Sequence, residues 1–486
     1  MMKPPHDLTK QEDLREMVQI LQETSKDLSP CGRSVLSLVS RIFSILLDPT
    51  KTASSLSDAT TLASSLLRLS NEKLNSYPYR QVPLSWRRLY TDSSLLKSIS
   101  QLSNPSLSTT ESDSLRVIRD LDMVLIIAGA PGPDRPLLVS TLISIAQSRS
   151  PIPPPLSWSE ERPTKRSRPN PTRNSPRINP PYISRPLPIL KELPDFLLPS
   201  SNLSHSRPFI VRQAASDWSA VKNWKEVNYL REIGGGPGRV VPVEVGKDYT
   251  KLGWGQRILP WWEFLESTFN HEEGEEGEED ETFYLAQHSL LNQFPELEKD
   301  FMIPSLVYSD LQEGGSTGGV EGVEGEYQGI GNEEGWIVNA WLGRGGTVSQ
   351  AHTDPYWNCY IQAVGSKWVW IAPPSVGPHM STFGHTDVEG REGSEEAEEN
   401  GQGTGTTDYM TNTSTIDVTL PLPSTTSPLT VPDSSNGGNY PKKWLEEVEP
   451  VAQQIVLEAG DVLVMPPGWW HAMKSLETSF SISIWF

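Results

Sequence analysis

Along the first third of the chain, apolar residues recur at the spacing of helix faces. Leu14, Met17, Val18 and Leu21 fall three and four apart, and Val35, Leu38, Val39, Ile42 and Phe43 repeat the pattern before Pro49 closes it. Further clusters span Leu62 to Leu69, Leu95 to Leu102, Leu115 to Ile127 and Leu137 to Ile145. At ordinary helix lengths this text makes about five to seven helices, so residues 1–148 read as an all-α N-terminal domain. Nothing in it carries chemistry. Ala128-Gly-Ala-Pro-Gly-Pro lacks the Gly-Lys-Ser/Thr of a phosphate loop and reads as a turn.

The periodicity stops at 149–186, where prolines recur and seven basic residues face two acids between Glu160 and Arg185. That is the text of a disordered linker, and Thr164-Lys-Arg-Ser-Arg-Pro within it is a candidate nuclear localisation signal. From Leu187 the pattern changes again. Pro208 to Arg212 and Arg239 to Val245 are strand-like, while Trp218 to Ile233 and Trp261 to Phe269 are helical. Short strands follow at Trp336 to Trp341, Asn358 to Ile371, Gln454 to Leu457, Asp461 to Met465 and Phe480 to Phe486. Many short strands with turns between them predict a sandwich or barrel over 187–486. Gly, Ser, Thr and Glu over about 375–440 predict a low-complexity, largely disordered loop insertion. The expected class is α+β: a helical domain followed by a β barrel.

Charge sharpens this picture. The net charge of -20 is concentrated in two runs: eight acids at 272–281, and seven acids with one Arg at 387–399. Such runs are solvated loops, and the balance argues against nucleic-acid binding through a basic surface. Two cysteines, Cys31 and Cys359, form no disulfide framework and fit a reducing compartment. The N-terminus has no apolar signal core, and the longest clean apolar run, Met123 to Ala130, is too short to span a bilayer. The expectation is a soluble nuclear or cytoplasmic protein with no membrane partner.

The text that carries chemistry is Gly346-Thr-Val-Ser-Gln-Ala-His-Thr-Asp-Pro-Tyr-Trp-Asn-Cys-Tyr. His352 and Asp354 stand two apart, so on a strand both side chains reach one face and one ion. A third ligand comes from Gly460-Asp-Val-Leu-Val-Met-Pro-Pro-Gly-Trp-Trp-His, where a strand runs into a Pro-Pro-Gly turn and presents His471 just beyond it. Two imidazoles and a carboxylate make the facial triad of non-haem Fe(II) oxygenases, with positions left open for a 2-oxo acid and O2. Zinc accepts the same ligand types, so the triad alone leaves the metal open. Lys367, in Val364-Gly-Ser-Lys-Trp-Val-Trp-Ile, lies fifteen residues after His352. One hairpin return brings it across the barrel, where an ammonium on an apolar strand needs a partner such as a bound carboxylate. Asn358 belongs to the same constellation.

Around these residues stand Val241-Pro-Val-Glu-Val-Gly-Lys-Asp-Tyr-Thr, Tyr284-Leu-Ala-Gln-His-Ser-Leu-Leu-Asn-Gln-Phe-Pro-Glu-Leu, Val338-Asn-Ala-Trp-Leu-Gly and Leu476-Glu-Thr-Ser-Phe-Ser-Ile-Ser-Ile-Trp. In that order and spacing they resemble the JmjC-domain 2-oxoglutarate oxygenases, and within them the Jumonji-domain-containing protein 5 group, also called lysine demethylase 8. The resemblance implies a double-stranded β-helix (cupin or jelly-roll) barrel with Fe(II) on His352, Asp354 and His471. It implies that Lys367 pairs with the distal carboxylate of 2-oxoglutarate and that Tyr284, Ser349 and Asn358 hydrogen-bond this co-substrate. It implies that Gln287, Trp341 and Trp485 line the substrate or co-substrate pocket. His288, beside Gln287, is expected to be structural because the triad is complete without it. The acidic run and the insertion depart from the family pattern, and the N-terminal 186 residues match it only as a helical region of similar size.

Four activities compete on this centre. The resemblance points first to hydroxylation of a protein side chain, with arginine favoured. Demethylation of a histone H3 methyl-lysine uses the same centre, but two cysteines leave no zinc-bound reader finger to accompany it. A non-catalytic scaffold leaves the triad and Lys367 without a purpose. Hydroxylation of a tRNA base is disfavoured by the acidic balance.

Overall fold

The apolar stripes of the N-terminal third become helices α1 (Gln11–Glu23), α2 (Arg33–Leu47), α3 (Ala53–Leu74), α4 (Leu84–Ser103), α5 (Glu111–Ala128) and α6 (Arg135–Ser148). This computed structural model describes residues 11–78, 81–105, 111–149, 177–181, 185–187, 189–190, 207–250, 253–269, 281–308, 329–332, 334–383, 411–422 and 440–486. The basic stretch at 164–169, the acidic run at 387–399 and all of the run at 272–281 except Glu281 lie outside them. Leu14, Met17, Val18 and Leu21 join Val35, Val39, Ile42 and Phe43 in one buried cluster, as their spacing requires. A capping box starts α3: Ser55 N–H donates to the Thr52 hydroxyl, and Thr52 N–H donates to that of Ser55. One ionic knot is buried in this region. Asp92 accepts from Arg88 at 3.1 Å and from Arg135 at 2.9 Å, tying α4 to the start of α6.

The remaining text builds strands β1 (Ile189–Leu190), β2 (Phe209–Val211), β3 (Val240–Val245), β4 (Gly255–Pro260), β5 (Phe283–His288), β6 (Ile337–Gly343) and β7 (Val348–Thr353). After them come β8 (Asn358–Val364), β9 (Lys367–Ala372), β10 (Gln453–Leu457), β11 (Val462–Met465), β12 (Trp470–Ser475) and β13 (Ser479–Trp485). They form a larger sheet, β1-β2-β11-β8-β13-β6-β5-β3-β4, and a smaller one, β10-β9-β12-β7. Apart from the β1–β2 pair, the ladders are antiparallel. The expected α+β architecture is present, with a cupin-like barrel behind a helical region.

Side-chain alternation assigns the faces. On β9, Trp368, Trp370 and Ala372 join the outer cluster of the smaller sheet, whereas Val369 and Ile371 join the cluster between the sheets. On β8, Cys359, Ile361 and Ala363 pack outward, and Tyr360 packs inward. Outside the larger sheet lie α7 (Ser219–Asn223), α8 (Val227–Ile233), α9 (Trp261–Phe269) and α10 (Leu290–Gln293). β13 turns Phe480, Ile482 and Ile484 toward these helices, so Ser479, Ser481 and Ser483 occupy the opposite, inward face.

Two expectations change. The helix expected over Trp218 to Ile233 is divided into α7 and α8, because Trp224 turns into the core and donates its indole N–H to Asp300 at 2.7 Å. The strand text Asn358 to Ile371 is two strands in different sheets, β8 in the larger and β9 in the smaller, joined by a turn at Gly365 with φ +71. Of the insertion expected at about 375–440, residues 384–410 and 423–439 lie outside the described residues. Residues 375–383 and 411–422 are described, with Val376, Met380, Ile416 and Val418 buried on the smaller sheet. Among the described residues, no helix is long and apolar enough to cross a membrane.

Gly365 is the turn that delivers Lys367. A Cβ there would meet the Thr478 carbonyl oxygen at 2.1 Å, in a backbone conformation that L side chains rarely adopt. Gly365→Ala should therefore destabilise the barrel by at least about 2 kcal/mol. Urea unfolding of the full chain reads this directly, and an unchanged midpoint would show that the turn relaxes freely.

Candidate metal centre

β7 and β12 are neighbours, and their register sets His471 opposite His352. The alternation that turns Met473 inward does the same for His471. The two ring centroids are 4.3 Å apart. β7 ends at Thr353, so Asp354 stands just past the strand rather than on it. Its carboxylate lies 3.5 Å from His471 Nε2 and 3.9 Å from His352 Nε2. One ligand atom from each of the three lies within 4.8 Å of the others, a group that could hold a metal ion.

The backbone prepares both imidazoles. His352 Nδ1 lies 2.7 Å from the Gln350 carbonyl and His471 Nδ1 lies 3.1 Å from that of Trp469. A carbonyl accepts, so each Nδ1 carries the proton and each Nε2 lone pair is directed to the centre. Burial, followed by the neighbouring His471, pushes His352 down to about 4, which keeps it neutral. Burial alone would raise Asp354, but the bond to His471 and the two imidazoles outweigh it and leave the carboxyl below its usual range. Burial likewise works to lower His471, and Asp354 outweighs it and leaves it raised. A metal ion at the two Nε2 atoms would supply the positive charge that balances Asp354.

A second group surrounds a buried cation. Lys367 is 1% exposed, and its Nζ donates to the Tyr360 hydroxyl at 2.9 Å and the Tyr284 hydroxyl at 3.5 Å. Among the described residues no carboxylate pairs with it, and burial pushes its pKa down to about 7. Tyr284 also hydrogen-bonds Ser349 on β7. Asn358 hydrogen-bonds Asp354 and leaves its own Oδ1 without a partner. Trp485 pairs with Asn358 across the β13–β8 ladder, and its indole N–H is also unpartnered, as is Asn339 Nδ2 on β6. Trp341 packs 6.2 Å from the Tyr284 ring and donates to Ser483 at 3.0 Å. A buried ammonium with hydroxyl partners, together with orphaned amide and indole groups, fits an oxygen-rich anionic ligand beside the metal ligands.

Gln287 stands differently from the other expected pocket residues. It is exposed, has φ +48 at the β5 bulge, and lines a cavity of about 370 Å³ with Glu244 and His288. His288 is satisfied by Gln293 at 2.7 Å and, as expected of a structural histidine, lies outside the metal-ligand group. Sequence reasoning missed three residues. Tyr360 could have been found by parity, two positions after Asn358. Glu244 is an acid within Val-Pro-Val-Glu-Val, the same signal that singled out Lys367; burial pushes it up to about 7, with no cation beside it among the described residues. Tyr249 hydrogen-bonds Thr413, which bridges to His352. That contact had no signal, because it joins the insertion to β7.

Residues 197–486 match a family model described as a cupin-like domain. The chain is 31% identical to lysine-specific demethylase 8 of Danio rerio over 432 residues, 85% of this chain and 84% of that protein. It is 30% identical over 284 residues to Jumonji C domain-containing protein 5 of Drosophila melanogaster (58% of this chain, 54% of that protein). It is 28% identical over 294 residues to lysine-specific demethylase JMJ30 of Arabidopsis thaliana (60% and 52%). The first match extends beyond the cupin-like segment into the helical region; the other two span about half of those relatives.

Removing one ligand should empty the centre. His352→Ala or Asp354→Ala is expected to weaken Co(II) binding by at least about a hundredfold, seen as loss of the cobalt absorption bands, while far-ultraviolet circular dichroism is retained. Full cobalt binding by a folded Asp354→Ala protein would remove Asp354 from the set.

Proposed function

The chain belongs to the cupin-like domain family, among relatives of the Jumonji C type, and on that premise we propose that it is an Fe(II)- and 2-oxoglutarate-dependent hydroxylase of a protein side chain, arginine first among the candidates. Its class is 2-oxoglutarate-dependent oxygenase. His352, Asp354 and His471 would hold the iron. Lys367 would receive the distal carboxylate of 2-oxoglutarate, with Tyr284, Ser349 and Asn358 as hydrogen-bond partners and Trp341 and Trp485 as walls. Bound iron with this co-substrate supplies the oxidising power: O2 delivers one oxygen atom to a C–H bond and the other to 2-oxoglutarate, which leaves as succinate and CO2. The chain's own residues bind, orient and keep water out.

The observation that carries the reading is Lys367, an ammonium buried inside the barrel with two tyrosine hydroxyls and, among the described residues, no acid beside it. Arginine is favoured by Glu244. A half-buried carboxyl beside Trp254, with no cation near it among the described residues, suits a guanidinium. Glu244 also pairs in register with Tyr284, which reaches Lys367. Gln287 lines the same cavity as Glu244. The second reading is demethylation of a histone methyl-lysine, favoured by the names of the relatives from Danio rerio and Arabidopsis thaliana. Either substrate fits a nuclear or cytoplasmic protein.

Mass spectrometry separates the two readings. Purified full chain with Fe(II), 2-oxoglutarate, ascorbate and O2 is expected to add one oxygen to arginine peptides; loss of a methyl group as formaldehyde from methyl-lysine peptides supports the second reading instead. No 2-oxoglutarate turnover with any peptide, and no iron retained, defeats both.

The two shifted groups also predict a pH profile. Lys367 must be charged to hold a carboxylate, so co-substrate binding weakens as pH rises above about 7. Glu244 must be charged to hold a cation, so substrate binding weakens as pH falls below about 7. The dependence of kcat/KM on pH should therefore be bell-shaped around neutrality. Lys367→Arg should remove the alkaline limb. Glu244→Gln should remove the acid limb and raise KM for arginine peptides about tenfold. Limbs that survive both substitutions would assign the titrations elsewhere.

A further inference from the structure

Helix α5 presents two faces. Val117, Ile118, Leu121, Val124 and Ala128 are buried in the core of the helical region. Along the adjoining line Leu115, Ile118, Asp122 and Ile126, three and four residues apart, turn toward the barrel. At the first of these contacts is Gly238, with φ +93, where a Cβ would come within 3.2 Å of both Leu115 and Ile118. At the next, Asp122 is fully buried and accepts from Arg239 Nε at 3.0 Å and from the Val240 backbone N–H at 2.8 Å.

From there a chain of contacts leads to the edge of the pocket. Arg239 lies over the Phe294 ring at 4.2 Å and donates to the Gln293 carbonyl at 2.6 Å. The Gln293 amide donates to the Val240 carbonyl at 2.5 Å, and its oxygen faces His288 Nε2 at 2.7 Å. His288 directly follows Gln287, the bulged residue with φ +48. One turn past Asp122, Ile126 is half-buried outside the helical core and lines the cavity of about 370 Å³ together with Pro242, Glu244, Ile258 and Gln287. Arg257 also lines it, but its guanidinium is engaged by Glu281 at 2.5 and 2.6 Å, so among the described residues Glu244 is left without a cation.

We infer that helix α5 forms one wall of the substrate groove, with Ile126 contacting an apolar residue next to the target cation in the substrate chain. Asp122 is the positioning residue: through Arg239 and Gln293 it holds this wall against the β5 edge. The inference rests on Glu244 as the acceptor of the substrate's cation, and it adds that the helical region takes part in choosing the sequence around the target. A buried ion pair adds little to stability over apolar packing; what it supplies here is one fixed register between helix and barrel. The occupant follows from the lining: apolar Ile126, Pro242 and Ile258 around a single uncompensated acid suit a basic residue with an apolar neighbour.

The test measures fluorescence anisotropy of labelled arginine peptides, with apolar or polar neighbours beside the arginine, on the full-length protein, alongside steady-state kinetics. N-acetylarginine amide serves as the minimal ligand. Ile126→Trp fills the cavity from a half-buried position. It should weaken the apolar-flanked peptides about tenfold, raising KM with kcat held, while the minimal ligand, cobalt binding and 2-oxoglutarate turnover without peptide stay unchanged. Asp122→Asn should shift KM in the same direction with kcat held. Peptide affinities equal in the wild type and Ile126→Trp, or an equal loss for peptides and minimal ligand, overturn the inference while leaving the hydroxylase reading intact. A wild-type protein that neither binds nor oxidises any of these peptides overturns both.

Discussion

The antiparallel pairing of β7 with β12 is the constraint on which the rest of the site depends. Register sets His352 against His471, and the two backbone carbonyls that hold their Nδ1 atoms belong to the same pair of strand ends. A slip of either strand by one residue would turn its ring to the outer face of the sheet, among Trp368, Trp370 and Trp444. The outer cluster prevents that slip, because Ala351, Trp470 and Ala472 already fill that face. The candidate metal centre is therefore a by-product of ordinary hydrophobic registration, with polar groups at the positions that face inward.

The same logic explains why the barrel interior accepts a ligand. β13 commits Phe480, Ile482 and Ile484 to the helices outside, and the alternate positions are serines. Small inward side chains leave volume, and Tyr360, Tyr284 and Asn358 line it with hydrogen-bonding groups. Lys367 is the costly member. Burying an ammonium without an acid is unfavourable, and its lowered pKa is the expression of that cost. A carboxylate bound there would relieve it, and the site would gain affinity from that relief.

Two additions to the barrel shape its approach. Residues 411–416 lie along β7, where Ser414 N–H donates to the Ala351 carbonyl at 2.7 Å and Thr353 N–H donates to that of Asn412 at 3.1 Å. The helical region meets the other flank through Asp122 and Arg239. Between them the barrel has neighbours on the side of the metal ligands and on the side of Glu244, so segments outside the barrel take part in forming both.

Much of this was legible in the chain because it is local. The spacing of Leu14, Met17, Val18 and Leu21 determined a helix face, and the text from Asn358 to Ile371 determined buried strands. The separation of His352 from Asp354, with His471 after Pro-Pro-Gly, determined a metal-ligand set, since ligand chemistry restricts which residue types can serve. Lys367 stood out as a charge that apolar neighbours cannot satisfy. Strands β4, β5, β7 and β12 were harder to read, because polar residues that line the site or the sheet edge interrupt the alternation on which strand recognition relies. Glu244 was visible as a letter but not as a site residue: its environment is made by Tyr284, Trp254 and Ile126, which are distant in sequence. Asp122 on Arg239 and Thr413 beside His352 were decided by tertiary structure alone. A partner brought in across more than a hundred residues, or from the far side of an insertion, leaves no periodicity behind, and packing of one element on another is the only force that chooses it.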